Sequence, residues 1–357
     1  MPKIVVGMSG GVDSAVSAYL LKEAGYDVVG ITIRSWISSE GKDSRCCEID
    51  DARRVAWKIG MPYHVVNSVA NFKRMITDPF IEAYINGLTP NPCVFCNRCI
   101  KWEKLIEYAG ILGADLVATG HYASIVRKEN GRLTVKKAVH DAKDQTYMLY
   151  RLTQEQLAKT VMPLGKLSKE EVREIARKAE LPVAAKADSQ EICFVTEGNY
   201  ADYIEENACC EIPGEGYFVD EDGCILGKHN GIIRYTVGQR KGLGLALGYP
   251  AYIKEIDAKK NVIVVAGQEG ICSRELICND LNFMGIQIPA PGEEIDCKVK
   301  VRYHHPGQEA RIKLLDEGRL RITFKAPVRA AAPGQSAVFY DTEDCLIGGG
   351  IISRVIY

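Results

Sequence analysis

The chain has 357 residues, too many for one simple core, so two or three domains are expected. Its 46% apolar and 25% charged residues contain no run of about 18 apolar positions to span a bilayer, and its net charge of −1 excludes a global field that draws it onto nucleic acid, leaving only local basic patches. The start, MPKIVVGMSGG, is too short and Gly-broken for a signal peptide, so a cytoplasmic location is expected, where the 13 cysteines are thiols or ligands rather than disulfides.

Over the first 125 residues strand and helix alternate. KIVV (3–6) is a short apolar run, followed by a Gly/Ser turn and an amphipathic helix through Val16, Tyr19 and Leu20 that stops at Gly25. DVVGITI (27–33), YHVVN (63–67) and DLVATGH (115–121) read as strands. DDARRVAWKIG (50–60) and IKWEKLIEYAGILG (100–113) have helical periodicity. This alternation predicts a parallel sheet with helices on both faces. SKEEVREIARKAEL (168–181) is a helix opened by a capping box, Ser168 with Glu171. After about residue 205 Gly and Pro rise, and period-2 strands take over: YFVD, CILG, GIIRYTVG, AYIKEID and NVIVVAG. From about 272, CKVKVRYH, ARIKLL, RLRITF, SAVFY and IGGGIIS read as a small antiparallel barrel. The expected division is an α/β domain over 1–204, a central β-rich domain over 205–271 and a C-terminal β-barrel over 272–357.

GMSGGVDS (7–14) follows a strand and opens a helix. Gly10 and Gly11 let the backbone turn tightly and present N–H groups, and the helix N-terminus adds partial positive charge. Ser9 and Ser14 can donate to phosphate oxygens, and Asp13 can hold Mg²⁺ beside them. The Walker spacing and its Lys are absent, as is G-x-G-x-x-G. The plain alternative is a strand–helix turn without a ligand. S-G-G-V-D-S in this setting resembles the PP-loop signature of ATP pyrophosphatases. That likeness implies a loop that cradles pyrophosphate while a substrate oxygen attacks the α-phosphate, leaving an adenylated substrate.

Such an intermediate needs a nucleophile, and a thiolate is a strong one. The candidates lie in TPNPCVFCNRCIKW (89–102) and KADSQEICFV (186–195), which only the fold can bring together. Cys93, Cys96 and Cys99 stand at two successive C-x-x-C spacings. A zinc ribbon needs a second close pair, and the adjacent Cys46-Cys47 and Cys209-Cys210 do not converge well. Cys99 reads as a small packing residue, and the cysteines at 224, 272, 278, 297 and 345 as core or edge positions. Arg53-Arg54 reads as a helix face, QRKGLG (239–244) as a phosphate contact or a solvated turn, and His304-His305 as a barrel loop rather than a metal site.

GMSGGVDS, NPCVFCN with IKW, ATGHYA (118–123), KDQTYML (143–149), DSQEICF (188–194), YTVGQRKGLG (235–244), VRYHHP (301–306) and AAPGQSAVFYD (331–341) occur in this order. Together, over essentially the whole chain, they resemble the bacterial-type tRNA-specific 2-thiouridylases. The resemblance implies ATP-dependent replacement of the C2 oxygen of the wobble uridine by sulfur, in the anticodons of tRNAs for Lys, Glu and Gln. It implies ATP and Mg²⁺ on Gly7, Met8, Ser9, Gly10, Gly11, Val12, Asp13 and Ser14, with Ile33 and Gly120 beside the nucleotide. It makes Cys96 the nucleophile or resolving thiol and Cys193 the thiol that receives persulfide sulfur from a donor protein, a cysteine desulfurase or sulfide. Asn91, Pro92 and Cys93 fall where the family contacts the target base, and His121 beside the adenylation site. Lys143, Asp144, Gln145, Arg302, Tyr303 and Gln335 fall where it contacts tRNA. Many members carry Asp where this chain has Cys93. Cys93, Cys96 and Cys193 are then a three-thiolate set able to hold a [4Fe–4S] cluster, or Cys93 lines the base pocket and persulfide chemistry stands. The competing activity is a PP-loop ligase that amidates a small metabolite.

Overall fold

In the computed structural model, which describes residues 1–37, 48–187, 192–195, 198–315 and 318–357, the N-terminal third is built on a five-stranded parallel sheet. Its strands are β1 (Lys3–Gly7), β2 (Asp27–Arg34), β3 (Tyr63–Asn67), β4 (Leu116–Ala118) and, after the hairpin β5 (Ala123–Arg127) and β6 (Leu133–Lys137), β7 (Thr160–Val161), in the order β3-β2-β1-β4-β7. β1 explains the layering. Ile4, Val5 and Val6 are all fully buried, so both faces of the strand are covered, as a central parallel strand requires. Ile4 and Val6 face helices α1 (Val12–Glu23), α2 (Ile49–Ile59) and Lys169–Lys178. Val5 faces Leu105 and Ala109 of the helix Glu103–Ile111. Each such apolar side chain contributes about 1.5–3 kcal/mol on burial.

The helix ends follow local chemistry. Gly60 takes the left-handed conformation that closes α2, and Ser168 with Glu171 forms the reciprocal capping box expected for Lys169–Lys178. Arg53 and Arg54 pair with Asp50 and Asp51 along α2, as a solvated helix face does.

β8 (Gly216–Val219), β9 (Ile225–His229), β10 (Tyr252–Asp257) and β11 (Val262–Ala266) form a separate four-stranded sheet. β12 (Cys272–Phe283), β13 (Glu294–Lys300), β14 (Gln308–Leu314), β15 (Leu320–Arg329), β16 (Ser336–Tyr340) and β17 (Leu346–Ile356) close into an antiparallel barrel. The fold class is therefore the expected one. Among the described residues no helix is long and apolar enough to cross a membrane.

Three local expectations fail. DLVATGH is strand only over Leu116–Ala118, because the chain turns at Thr119 and Gly120 to meet the start of α1. GIIRYTVG is not a strand. Gly231 and Gly238 have positive φ, and Ile232–Arg234 forms a short 3-10 turn that buries the neighbours Ile232 and Ile233 together. β13 ends at Lys300, so CKVKVRYH is strand only up to that lysine, and the loop expected at His304-His305 begins at Val301.

The barrel is docked on the sheet domain, not merely tethered to it. Val338, Tyr340, Leu346 and Met284 share one core with Val5, Tyr147 and Tyr150. The Tyr147 hydroxyl donates to the Ser336 carbonyl at 2.8 Å, and the Ser336 hydroxyl donates to the Tyr150 oxygen at 3.3 Å.

Candidate active site

The strand order reverses between β1 and β4, and the crevice at the carboxyl ends of such strands is where α/β sheets take ligands. Residues 7–14 turn from β1 into α1 at this point. Gly10 has φ +79°, and a Cβ there would lie 2.5 Å from the Glu48 carbonyl oxygen, so both conformation and space demand glycine. Gly120 crosses over the start of α1, where a Cβ would lie 2.7 Å from the Ser14 nitrogen. The Ser14 hydroxyl donates to the Gly11 carbonyl at 3.1 Å and accepts from the Ser9 N–H at 3.2 Å, which aims both serines into the loop's concavity.

Asp13 sits on the first turn of α1. Its oxygens accept from the Lys169 ammonium at 2.7 and 2.9 Å, and one also accepts from the Tyr122 hydroxyl at 2.7 Å. A metal ion on Asp13 would have to compete with that ammonium. The carboxylate thereby anchors the loop to the start of the helix Lys169–Lys178.

One cleft of about 910 Å³ runs from this loop past Ile33 and Gly120 to Pro92, Cys93, Cys96 and Cys193, and on to Tyr303. Pro92–Cys96 is a short helix whose first residue is proline, favoured there because its missing N–H is not needed. It continues as a π-helical turn over Asn97–Trp102. Cys96 is buried, packed with Ile100 and Phe194, while Cys193 is half-buried against the same cluster and Cys93 is exposed. Cys99 is absent from the cleft wall, and burial with the nearby Glu103 raises its thiol pKa, which fits a packing role. Zn–S bonds near 2.3 Å would bring three ligand sulfurs to within about 4 Å of one another. Cys93, Cys96 and Cys193 do not form such a group within 4.8 Å, so as they stand they make no single-ion site.

His121 lies beside the loop, with Nδ1 2.9 Å from the Thr119 hydroxyl and its ring 5.4 Å from that of Trp102. Burial, then the charge of Lys101, lowers its pKa to about 3, so it is a neutral imidazole at physiological pH. Lys143, Asp144 and Gln145 also line the cleft. Asp144 is buried, its carboxylate accepts from the Thr146 hydroxyl at 2.9 Å, and burial raises its pKa; it braces the wall. Gln145 accepts from the Tyr122 N–H at 3.0 Å. Tyr303 lines the cleft close to Cys93 and Asp144, whereas Arg302 is exposed outside its wall. Two residues expected to contact RNA or the base also bond within the chain. Asn91 donates to the Met148 sulfur at 3.6 Å, and the Gln335 amide donates to the Thr89 carbonyl at 3.1 Å, so Gln335 clamps the cysteine-bearing segment from behind.

Residues 2–197 match the family described as tRNA methyl transferase HUP domain, 204–267 the tRNA methyl transferase PRC-barrel domain and 273–352 the aminomethyltransferase beta-barrel domain. Over 99% of its length the chain is 50% identical to the whole of the tRNA-specific 2-thiouridylase MnmA of Lachnoclostridium phytofermentans. Over 99% it is 49% identical to 98% of the tRNA-specific 2-thiouridylase MnmA 1 of Thermoanaerobacter sp.. The chain belongs to the tRNA-specific 2-thiouridylase family.

This family member carries site residues that its motifs did not announce. Lys169 is one. A lysine at the first position of a helix opposes the dipole, a mismatch worth about 0.3–1 kcal/mol that could have flagged it. Lys186 is another. It contacts Glu48 and Asp51 and lies 3.3 Å from the Gly10 carbonyl, which ties the phosphate loop to the segment leading to Cys193. Residues 188–191 of DSQEICF, and Cys46 and Cys47, lie outside the described residues.

Proposed function

We propose that this chain is an ATP-dependent tRNA-uridine 2-sulfurtransferase that makes 2-thiouridine at the anticodon wobble position. The observation that carries the reading is the single cleft shared by the phosphate loop, Cys96 and Cys193. The names of its relatives support tRNA as the substrate and thiolation as the outcome.

ATP enters with Mg²⁺. Its phosphates lie on the N–H groups and hydroxyls of residues 9–14, at the positive end of α1. The uridine C2 oxygen attacks the α-phosphorus, the bond to the β-phosphate oxygen breaks, and pyrophosphate leaves with the electron pair. The N3 proton passes to solvent. C2 now carries AMP, a good leaving group. The terminal sulfur of a Cys193 persulfide, loaded by a sulfur-donor protein, attacks C2, and AMP departs with its electrons. The Cys96 thiolate then attacks the Cys193 sulfur, releasing 2-thiouridine and leaving a Cys96–Cys193 disulfide for an external dithiol to reduce. Because C2 is inaccessible in a stack, the base enters the cleft flipped out of the anticodon loop.

A second reading is favoured by Cys93, which adds a third thiol to the same cleft. Cys93, Cys96 and Cys193 would hold a [4Fe–4S] cluster, whose open iron would supply sulfide in place of the persulfide.

The test is incubation with ATP, unmodified tRNA and a sulfur source, reading 2-thiouridine, AMP and pyrophosphate. No thiouridine, even after anaerobic cluster reconstitution, overturns the proposal. Cys193→Ala is expected to abolish thiouridine. Iron counting on anaerobically purified protein separates the two sulfur routes, since a fully active iron-free enzyme leaves only the persulfide.

A further inference from the structure

The far end of the cleft is built differently from the end that holds the phosphate loop. The chain as a whole is nearly neutral at −1, yet Lys137, Lys143, Lys298 and Lys300 all face this end. Lys298 and Lys300 are two apart on β13, so they share one face of the barrel. Lys137 closes β6 on the sheet domain. Ammonium groups from two separate domains therefore meet across one groove.

The carboxylates that act on Lys137 and Lys300 are Asp141, Asp144 and, for Lys137, Asp344. Lys137 pairs with Asp141 at 2.7 Å, and Asp141 is 80% exposed, so that pair is worth little in water. Lys300 lies 3.9 Å from Asp144, whose buried carboxyl has a raised pKa. Lys137 and Lys298 both act on Lys300 as like charges, and all three lysines act on Asp141, so they form one electrostatic cluster. Lysines crowded from two domains onto one groove attract a polyanion.

The neighbouring rim adds aromatic surface. Tyr303 and His304 stack edge to face at 4.7 Å, and both line the groove. Cations beside exposed rings match a single-stranded nucleic acid, whose phosphates take the lysines and whose bases take the rings.

We propose that Lys137, Lys298 and Lys300 bind backbone phosphates of the RNA strand whose base enters the cleft toward Cys96. This rests on the reading of the chain as a tRNA-thiolating enzyme and adds to it the wall that grips the strand. The barrel is then a jaw of the active site, with β13 as its RNA-facing edge.

The test is equilibrium binding of an unmodified tRNA transcript to the full chain as salt is raised. Each lost phosphate contact to a single strand reduces the slope of log K against log salt by about 0.7, so Lys298→Gln with Lys300→Gln is expected to reduce it by about 1.4. Between 0.05 and 0.2 M salt the double variant then loses about sevenfold less affinity than the parent. Replacement of both by arginine is expected to keep the slope. Lys325→Gln, a barrel lysine outside the cleft and paired with Glu309, is expected to keep it too. An unchanged slope in the double glutamine variant overturns the inference, as does a rise in KM for ATP with no change in slope, which would assign these lysines to the nucleotide. Failure of the parent protein itself to bind tRNA would instead overturn the functional reading beneath it.

Discussion

Lys169→Met tests whether the Asp13–Lys169 pair is what holds the phosphate loop. The lysine side chain is 9% exposed and Asp13 32% exposed, with two contacts at 2.7 and 2.9 Å. Breaking a fully buried pair costs roughly 3–5 kcal/mol. Because a third of Asp13 meets water and the Tyr122 hydroxyl stays on it, the cost here is about 2 kcal/mol. A unit the size of the sheet domain shifts by about 2–4 °C per kcal/mol, so its melting temperature is expected to fall by about 4–8 °C. Asp13→Asn takes that carboxylate from the more buried ammonium and is expected to cost more, about 3 kcal/mol. The double variant leaves neither charge stranded and is expected to fall short of the sum by at least about 1 kcal/mol. Thermal unfolding of all four proteins, with ATP affinity measured alongside, closes the cycle. Additivity within about 0.5 kcal/mol would refute the coupling and return Asp13 to the role of a ligand facing the nucleotide.

Gly10→Ala is expected to weaken ATP binding at least about tenfold, since the left-handed conformation costs a residue with a Cβ about 1–2 kcal/mol before the clash with Glu48 is counted. Gly11→Ala, whose Cβ would meet the Ser9 hydroxyl at an ordinary 3.4 Å, is expected to do less, and equal losses by calorimetry would contradict the account. His305 is held to a pKa of about 4 by burial, then by Arg302 and Lys300, below the unfolded value near 6.5. The unfolded chain binds more protons between those values, so the contribution is full above about pH 6.5 and is lost as pH falls toward 4. His305→Asn is expected to flatten that stretch of the stability profile, and an unchanged slope in denaturant melts would count against it. Gln335→Ala removes donors worth about 0.5–1.5 kcal/mol each from the Thr89–Pro90 carbonyls. It is expected to lower kcat while tRNA affinity and its salt slope stay put, and to speed alkylation of Cys93; lost affinity with unchanged kcat would make Gln335 an RNA contact after all.

What the sequence made legible was chemistry that is local. The phosphate loop is a strand, two glycines and a helix start within a dozen residues, and its geometry follows from those residue types alone. The capping box at Ser168 and the glycine stop at Gly60 are equally local. GIIRYTVG failed for the complementary reason: its alternation is that of a strand, but two glycines with positive φ fold it into a turn that buries successive isoleucines. The helical run 69–85 carried no clear signal beforehand, although Phe72 and Ile76 line the cleft, and neither did strand β12, whose Asp280 pairs with Arg151. Partners far apart in sequence were not legible at all. Nothing near Asp13 announces Lys169, and nothing in AAPGQSAVFYD says that the glutamine faces the chain rather than the substrate.

The contacts of Gln335 with Thr89 and Pro90 point to what the barrel does for the cysteines. The segment TPNPCVFC has few local supports, since Asn91 makes no side-chain cap for the short helix that follows it. Its supports come from a distance. The Thr89 N–H donates to the Pro333 carbonyl at 2.9 Å, Gln335 holds the carbonyls of Thr89 and Pro90, and a Cβ on Gly334 would lie 2.9 Å from the Thr89 nitrogen. At the other end of the helix, Arg151 stacks over the Phe95 ring at 4.5 Å while its guanidinium pairs with Asp280 of β12 at 2.7 Å. Cys96 thus stands in the opening turns of a helical run that continues through Asn97–Trp102 into Glu103–Ile111, and contacts from the barrel hold the start of that run. A barrel that also fixes the backbone leading to Cys96 must be docked rather than loosely tethered, and the shared core of Tyr147, Tyr150, Val338 and Tyr340 is that docking.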